Sequence, residues 1–203
     1  GSSHRSEVNI NPILAAVGSV AWYWFSVYVP ADWIEGGNPT VLWQVHDTPD
    51  GGDPIRRPPL EFGVNGDMLE VMSTAAVSGA NDNQVNRVVW EKPLAEFKGR
   101  WTDFVVNITW NYTSGGALKI WRDRRMVFVE TGQQNCFNDV LGMYPKLGVY
   151  TPLGLSAEIP DHTSYHRGLV VGDGAYSTFD AFMAAASIAT TELESVMFRG
   201  AAA

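Results

Sequence analysis

The chain has 203 residues and a mass of 22.3 kDa, which is the size of one domain. With 45% apolar and only 18% charged residues, the sequence is that of a globular protein rather than a disordered one. The net charge of −8 argues against non-specific nucleic-acid binding, and the single cysteine, Cys136, excludes an intrachain disulfide and a cysteine zinc site.

Segments of alternating apolar and polar residues follow one another along most of the chain, separated by turns rich in glycine and proline. The turn Asn65-Gly66-Asp67 is typical of a hairpin. In chain order, the pattern predicts strands over residues 22–29, 40–46, 60–64, 68–73, 101–112, 117–121, 126–130, 144–150 and 168–171.

One alanine-rich segment, residues 179–193, has a helical pattern. Many short strands with few helices predict an all-β fold, either a two-sheet sandwich or a jelly roll. We expect residues 1–4 to be an expression-tag remnant, residues 5–180 to form the domain, and residues 181–203 to be a C-terminal helix or tail. No apolar run approaches the length of a membrane span.

Three segments are predicted to carry polar rows, because residues two apart in a strand point to the same face. Gln44 and His46 share one face, with Val45 on the other. By the same rule, Tyr144, Lys146 and Tyr150 form a second row, and Arg5, Glu7 and Asn9 a third. A sheet face that carries these cations, amides and proton-transferring groups is suited to binding an acidic sugar.

Each of these side chains also has an ordinary interpretation. A lone histidine on a strand is more often a solvated surface group than a catalyst, and Arg5 is close to the terminus, where chains are often mobile. The argument for a site therefore depends on the three segments occurring together.

The three segments read Arg5-Ser6-Glu7, Gln44-Val45-His46 and, over residues 144–150, Y-P-K-L-G-V-Y. In this order they resemble the motifs R-(S/T)-E, Q-(I/V)-H and Y-x-K-x-G-x-Y of the jelly-roll polysaccharide lyases: alginate lyases, glucuronan lyases and heparin-lyase-I-like enzymes. The resemblance runs from Arg5 to about Asp173. It implies a concanavalin-like jelly roll with a concave substrate-binding face.

The sequence departs from that pattern at two places. Such enzymes usually have one or more strands before the R-S-E strand, whereas four residues precede Arg5 here. Pro145 replaces the usual aromatic residue and removes a backbone donor, so we expect the strand to bend near Tyr144.

The resemblance implies β-elimination on a 4-linked uronic acid, which leaves a 4,5-unsaturated uronate end. Gln44 and Arg5 would neutralise the substrate carboxylate, and His46 and Tyr150 would transfer protons. Lys146, Tyr144, Glu7 and Asn9 would bind substrate. Which of His46 and Tyr150 is the base stays open, since it depends on whether the C5 proton and the leaving oxygen lie on the same side of the sugar.

Loops around this face are expected to set the subsites. Arg56 and Arg57 could meet flanking carboxylates or sulfates, or could be solvated loop residues. The resemblance implies no cofactor for catalysis, and Asp173 is a weak candidate ligand for a structural calcium ion. The expected partner is an acidic polysaccharide, not nucleic acid, and the expected location is secreted or extracellular, alone or as part of a phage particle.

Three other functions fit the same fold. The depolymerase module of a phage particle would share the lyase chemistry. A non-catalytic carbohydrate-binding module would use aromatic residues such as Trp22, Trp24 and Trp43 for stacking. A retaining glycoside hydrolase would need two carboxylates about 5–5.5 Å apart, and no closely spaced acidic motif occurs on a predicted strand.

Overall fold

The computed structural model describes residues 4–10, 14–34, 38–76, 83–152, 162–190 and 196–200. These residues form β-strands, one short 3₁₀ turn at Leu94–Glu96 and one α-helix. In chain order the elements are β1 His4–Asn9, β2 Val20–Val29, β3 Thr40–Thr48, β4 Leu60–Asn65, β5 Met68–Ala76, β6 Gln84–Pro93, β7 Arg100–Thr109, β8 Gly116–Arg122, β9 Arg125–Gln133, β10 Leu141–Thr151, β11 His162–Asp173, α1 Phe179–Thr190 and β12 Val196–Gly200.

The strands pair into two antiparallel sheets. The first sheet has the order β1-β10-β3-β4-β5-β6, and the second has the order β12-β11-β2-β7-β8-β9. Strands that are distant in the sequence lie side by side, as in a jelly roll. The all-β, two-sheet prediction is therefore confirmed.

Aromatic rings from both sheets pack together to form the centre of the core. Phe25 of β2 stacks on Trp43 of β3 with ring centroids 4.4 Å apart, and Phe62 of β4 meets Phe104 of β7 at 5.1 Å. All four side chains are buried. Large aromatic surfaces buried in this way contribute most of the hydrophobic free energy that holds two sheets together.

A second apolar cluster lies under α1, on the outer side of the second sheet. Phe182 of the helix stacks on Trp22 at 5.2 Å, and Trp22 stacks on Trp121 at 5.7 Å. The helix begins where the Thr178 hydroxyl accepts a hydrogen bond from the backbone N–H of Ala181, an ordinary N-terminal cap. The tryptophans expected to stack on sugars in a binding module, Trp22, Trp24 and Trp43, are all buried.

Most predicted strands are found, generally with longer bounds, and β6 and β12 are additional. Asp123 and Arg124 have positive φ values and form the two-residue turn between β8 and β9. The helical segment begins at residue 179 as predicted, while residues 191–193 lie outside the described part of the chain. The predicted tag remnant also lies outside it, except for His4, the first residue of β1. No helix among the described residues is long and apolar enough to cross a membrane.

Candidate active site

The three polar rows lie on adjacent strands of the first sheet, in the order β1, β10, β3. The register places Arg5 opposite Tyr150 and Asn9 opposite Lys146. On the other side of β10, Lys146 lies opposite Gln44 and Tyr144 opposite His46. Three segments that are far apart in the sequence thus form one polar surface.

Gly148 makes the close pairing of β1 with β10 possible. Its φ of +143° is in the region that favours glycine. A Cβ atom at this position would collide with the carbonyl oxygen of Ser6 and lie 2.7 Å from the Cα of Glu7. The glycine of the Y-x-K-x-G-x-Y motif is therefore required by backbone packing, and it keeps β1 within reach of Tyr150.

The register between β10 and β3 shifts twice, between Leu141 and Tyr144 and between Leu147 and Tyr150. Pro145 lies between these two shifts and pairs with Val45. The irregularity expected near Tyr144 is thus present just before that residue. Because of the second shift, Tyr150 lies opposite Val41, whereas an unshifted register would place it opposite Thr40.

A cleft of about 550 Å³ opens on this surface. Eight of the predicted site residues line it: Arg5, Glu7, Gln44, His46, Arg56, Arg57, Lys146 and Tyr150. Tyr144 and Asn9 are not among the lining residues. Tyr144 instead stacks on His46, with ring centroids 5.8 Å apart and planes at 20°.

Glu7 and Gln44 are partners. The Nε2 group of Gln44 donates a hydrogen bond to the Glu7 carboxylate, and the side chain of Gln44 is buried at the floor of the cleft. The oxygen of the Gln44 amide, Oε1, has no hydrogen-bond partner. Glu7, predicted to bind substrate, thus holds the Gln44 amide in place, and the second N–H of that amide is the group that can reach a substrate carboxylate.

His46 is held in one orientation. Its Nδ1 donates to the backbone carbonyl oxygen of Asp47 at 2.8 Å and lies 3.1 Å from the Asp47 carboxylate. Because a carbonyl oxygen can only accept, the hydrogen of the neutral ring is on Nδ1 and the lone pair is on Nε2. The imidazole, with a quarter of its side chain exposed, is therefore arranged to accept a proton at Nε2.

Arg56 does not have the substrate-binding role that the sequence predicted for it. Its side chain is 1% exposed and donates to three carboxylates, those of Asp47, Asp53 and Asp139. Its guanidinium also lies 4.1 Å from the centre of the Phe137 ring. With three of its five N–H donors bound to carboxylates and its charge buried, Arg56 is part of the wall of the cleft rather than a ligand for a polyanion.

Arg57, in contrast, is accessible. Its side chain is 35% exposed and forms an ion pair with Glu61 of β4. Glu61 lies opposite Gln44 in the sheet, and its burial raises the pKa of its carboxyl group, an effect that Arg57 opposes. The pair places a cation at the edge of the cleft, where it can meet a second carboxylate of a polymer.

Cations and phenols alternate along the β10 side of the cleft. The guanidinium of Arg5 lies 5.4 Å from the centre of the Tyr150 ring, and the ammonium of Lys146 lies at the same distance from the Tyr144 ring. Burial raises the pKa of Tyr144 and lowers the pKa of Lys146. Tyr144 is consequently a neutral hydrogen-bond donor near His46 at ordinary pH.

The structure gives no support to Asp173 as a metal ligand. Its carboxylate accepts a hydrogen bond from the backbone N–H of Ala175 in a turn. Among the described residues, only Asp50, Asp53 and Asp139 form a group with ligand atoms within 4.8 Å of one another. Arg56 already supplies positive charge to two of them, so a structural calcium ion stays a prediction.

Several residues of the site were not predicted from the sequence. Asp47 and Glu61 are buried carboxylates in β3 and β4, and a charged residue inside an otherwise apolar strand pattern is the signal that would have found them. The cleft also has an apolar rim, formed by Pro39, Ile55, Pro58 and Pro152, and Gln84 supplies one additional amide. These residues lie in loops or at a strand end, where periodicity carries no information.

Comparison with known proteins identifies the fold and the family of the chain. Residues 2–169 match the family model described as polysaccharide lyase. The fold resembles that of an endo-β-1,4-glucuronan lyase from the fungus Trichoderma reesei, with a TM-score of 0.61 and 20% identity over 73% of this chain and 63% of that one. It also resembles the family 7 alginate lyase A1-II′ in complex with a product, with a TM-score of 0.54 and 12% identity over 86% of this chain and 74% of that one.

The chain thus spans less than two thirds of the length of the glucuronan lyase. No curated protein matches its sequence. The family match nevertheless covers most of the chain, including all three polar rows, and it ends within β11. The chain belongs to the polysaccharide lyase family.

Proposed function

We propose that this protein cleaves a 4-linked polymer containing uronic acid by β-elimination and leaves a 4,5-unsaturated uronate at the new end. The observation that carries the proposal is the cleft on β1, β10 and β3. It brings together Arg5, Gln44, His46, Lys146 and Tyr150 on one surface.

The first requirement of the reaction is neutralisation of the substrate carboxylate. A proton next to a carboxylate is barely acidic, since its removal adds negative charge to a group that is already an anion. Preorganised donors lower this barrier most effectively. The guanidinium of Arg5 and the remaining amide N–H of Gln44 are the donors available at the cleft floor.

The second requirement is a base and an acid. The hydrogen bond from Nδ1 to the Asp47 carbonyl oxygen supports His46 as the base, because it leaves the lone pair on Nε2. Nε2 would take the proton from C5, the C4–C5 double bond would form, and the bond from C4 to the glycosidic oxygen would break. Tyr150 would give its phenolic proton to the departing oxygen.

This assignment fits a uronate whose C5 proton and leaving oxygen lie on opposite sides of the ring. Where they lie on the same side, Tyr150 would act as both base and acid, and His46 would be dispensable. The two cases are separated by the effect of His46→Asn on polymers of opposite C5 stereochemistry.

The charge distribution supports an anionic polymer as substrate. The chain as a whole carries −8, so a polyanion needs a local concentration of cations. Arg5, Arg57 and Lys146 supply it along the cleft. A polymer of this kind does not cross membranes, and we therefore place the activity outside the cell.

The test is the ultraviolet absorbance of the unsaturated product on a panel of polymers: alginate, glucuronan, heparin, hyaluronan, a bacterial capsule and neutral cellulose. We expect an increase with at least one uronate polymer and none with cellulose. Binding without any increase would favour the carbohydrate-binding module instead. New reducing ends without the absorbance would indicate a hydrolase.

A further inference from the structure

A buried ion network lies directly behind His46. We call it the Arg56 network, and it consists of Arg56, Asp47, Asp53 and Asp139. Arg56 uses Nε for Asp47 at 2.5 Å, Nη1 for Asp53 at 2.7 Å and Nη2 for Asp139. The side chains of Arg56, Asp47 and Asp139 are all at least 97% buried.

Such a network costs free energy to bury, and its charged groups bind one another rather than projecting into the cleft. Taking charges out of water costs several kcal/mol per ion, which pairing only partly offsets. Stability alone is therefore a weak explanation for placing it here. A functional explanation requires a link from the network to the cleft, and Asp47 provides that link.

The two oxygens of the Asp47 carboxylate have different neighbours. Oδ2 accepts the hydrogen bond from Arg56 Nε. Oδ1 lies 3.1 Å from His46 Nδ1, the same nitrogen that donates to the Asp47 backbone carbonyl at 2.8 Å. Arg56 thus fixes the rotation of the carboxylate, and it holds Oδ1, a buried oxygen with no hydrogen-bond partner, 3.1 Å from Nδ1.

We propose that Asp47, oriented by Arg56, is a positioning residue for His46. Its carboxylate favours the tautomer with the proton on Nδ1, which leaves Nε2 as the base. It also stabilises the imidazolium that forms when Nε2 takes up the substrate proton. The inference rests on the proposed function, in which His46 accepts the C5 proton. Asp47 itself touches neither substrate nor the reacting atoms.

Asp47→Asn tests this idea with little change of shape. Arg56 Nε can only donate, so it would bind the amide oxygen of the new side chain and turn the NH₂ group towards His46 Nδ1. Two donors would then face each other, and their repulsion would oppose the hydrogen bond from Nδ1 to the Asp47 backbone carbonyl oxygen. The balance between the two tautomers would therefore shift towards the ring protonated on Nε2. A wrong tautomer of this kind removes the base while leaving the geometry intact.

The matched control is Asp53→Asn. It removes a carboxylate from the same guanidinium but leaves the Asp47–His46 contact untouched. We expect Asp47→Asn to lower kcat by about 10²–10⁴-fold with little change in KM, and Asp53→Asn to leave both near their wild-type values.

The second readout is ¹⁵N NMR of the histidine ring nitrogens, which reports the tautomer without any turnover. We expect neutral His46 to carry its proton on Nδ1 in the wild type and in Asp53→Asn, and we expect the fraction protonated on Nε2 to increase in Asp47→Asn. The His46 signals are assigned by their loss in His46→Asn. Even if Asp47→Asn does not fold, the wild-type spectrum can still contradict the inference.

A wild-type ring protonated on Nε2 would overturn the inference, and so would an Asp47→Asn protein that matches Asp53→Asn in tautomer and kcat. Failure of the proposed function is a separate result. If no uronate polymer is cleaved, the role of His46 as base is wrong, and the spectra still decide whether Asp47 sets its tautomer.

Discussion

Arg56 and Arg57 are neighbours in the sequence and have opposite environments in the structure. Arg56 is buried against three carboxylates, while about a third of the Arg57 side chain is exposed at the edge of the cleft. Only Arg57 can meet a polymer without breaking a buried ion pair. A pair of adjacent arginines therefore contributes one residue to the wall and one to the binding surface.

The Arg56 network should give the protein a measurable pH dependence. Burial raises the pKa of Asp139 to about 6, more than Arg56 lowers it. In the unfolded chain the pKa of this group is near 3.8. Between pH 3.8 and about 6, the folded state therefore binds a proton at Asp139 that the unfolded state has lost. The contribution of Asp139 to the free energy of unfolding is thus greatest below pH 4 and is lost as the pH rises through about 6.

Asp139→Asn removes this titration. From pH 4 to pH 7.5, we therefore expect the unfolding free energy of the wild type to fall by about 1–3 kcal/mol relative to that of the variant. Urea unfolding at both pH values measures it, with Asp173→Asn as an exposed control. A difference that does not change with pH would show that Asp139 stays ionised throughout.

Strand parity was sufficient to predict the site face but not its ion pairs. Alternation correctly separates Gln44 and His46 from Val45, since period two is a property of every strand. The burial of Arg56 depends on three carboxylates, Asp47 of β3 and Asp53 and Asp139 of two loops. Their convergence is a tertiary feature, and local sequence patterns do not contain it.

At the scale of elements, the contact between β1 and β10 controls the site. Gly148→Ala would force its Cβ against the backbone of β1 at a positive φ. We expect a loss of at least ~1–3 kcal/mol in unfolding free energy and a fall in activity, because Arg5 moves away from Tyr150. Thermal unfolding and the lyase assay measure the two effects.

Gly51→Ala is the control for this variant. Gly51 lies in a loop after β3, and a Cβ atom there would meet nothing within 4 Å. We expect it to be close to neutral in both measurements. If Gly148→Ala were equally neutral, the close approach of β1 would not be what positions Arg5.

The sequence failed to predict β6 for a physical reason. β6 is an edge strand of the first sheet, and most of its residues are exposed on both faces, including Val85 and Val88. Without one buried face there is no alternation to detect. β12 is likewise at an edge, where it pairs with β11 after the helical segment.

At the scale of the molecule, the outer faces of the two sheets differ: a helix packs on one and a cleft opens on the other. The second sheet is capped by α1, which buries Phe182 against Trp22, whereas the cleft opens on the first sheet. The apolar contacts of the helix therefore lie apart from the proposed site, and mutations in the two places should have different effects.

Phe182→Ala tests this separation. Removing a fully buried ring that stacks on Trp22 should cost about 3–5 kcal/mol of unfolding free energy. The specific activity of the folded protein should stay unchanged. Urea unfolding and an assay at low temperature measure the two properties. A loss of specific activity under conditions where the variant is fully folded would show that the helix influences the cleft.

The measurement that tests the central claim most directly is formation of the unsaturated uronate by wild type, Tyr150→Phe and Tyr165→Phe on the polymer that responds best. Tyr150→Phe keeps the ring next to Arg5 and removes only the proton donor. Tyr165 lies in β11 of the second sheet and serves as the matched control. We predict a loss of about 10²–10⁴-fold for Tyr150→Phe and wild-type activity for Tyr165→Phe. A Tyr150→Phe protein as active as the wild type would contradict the account.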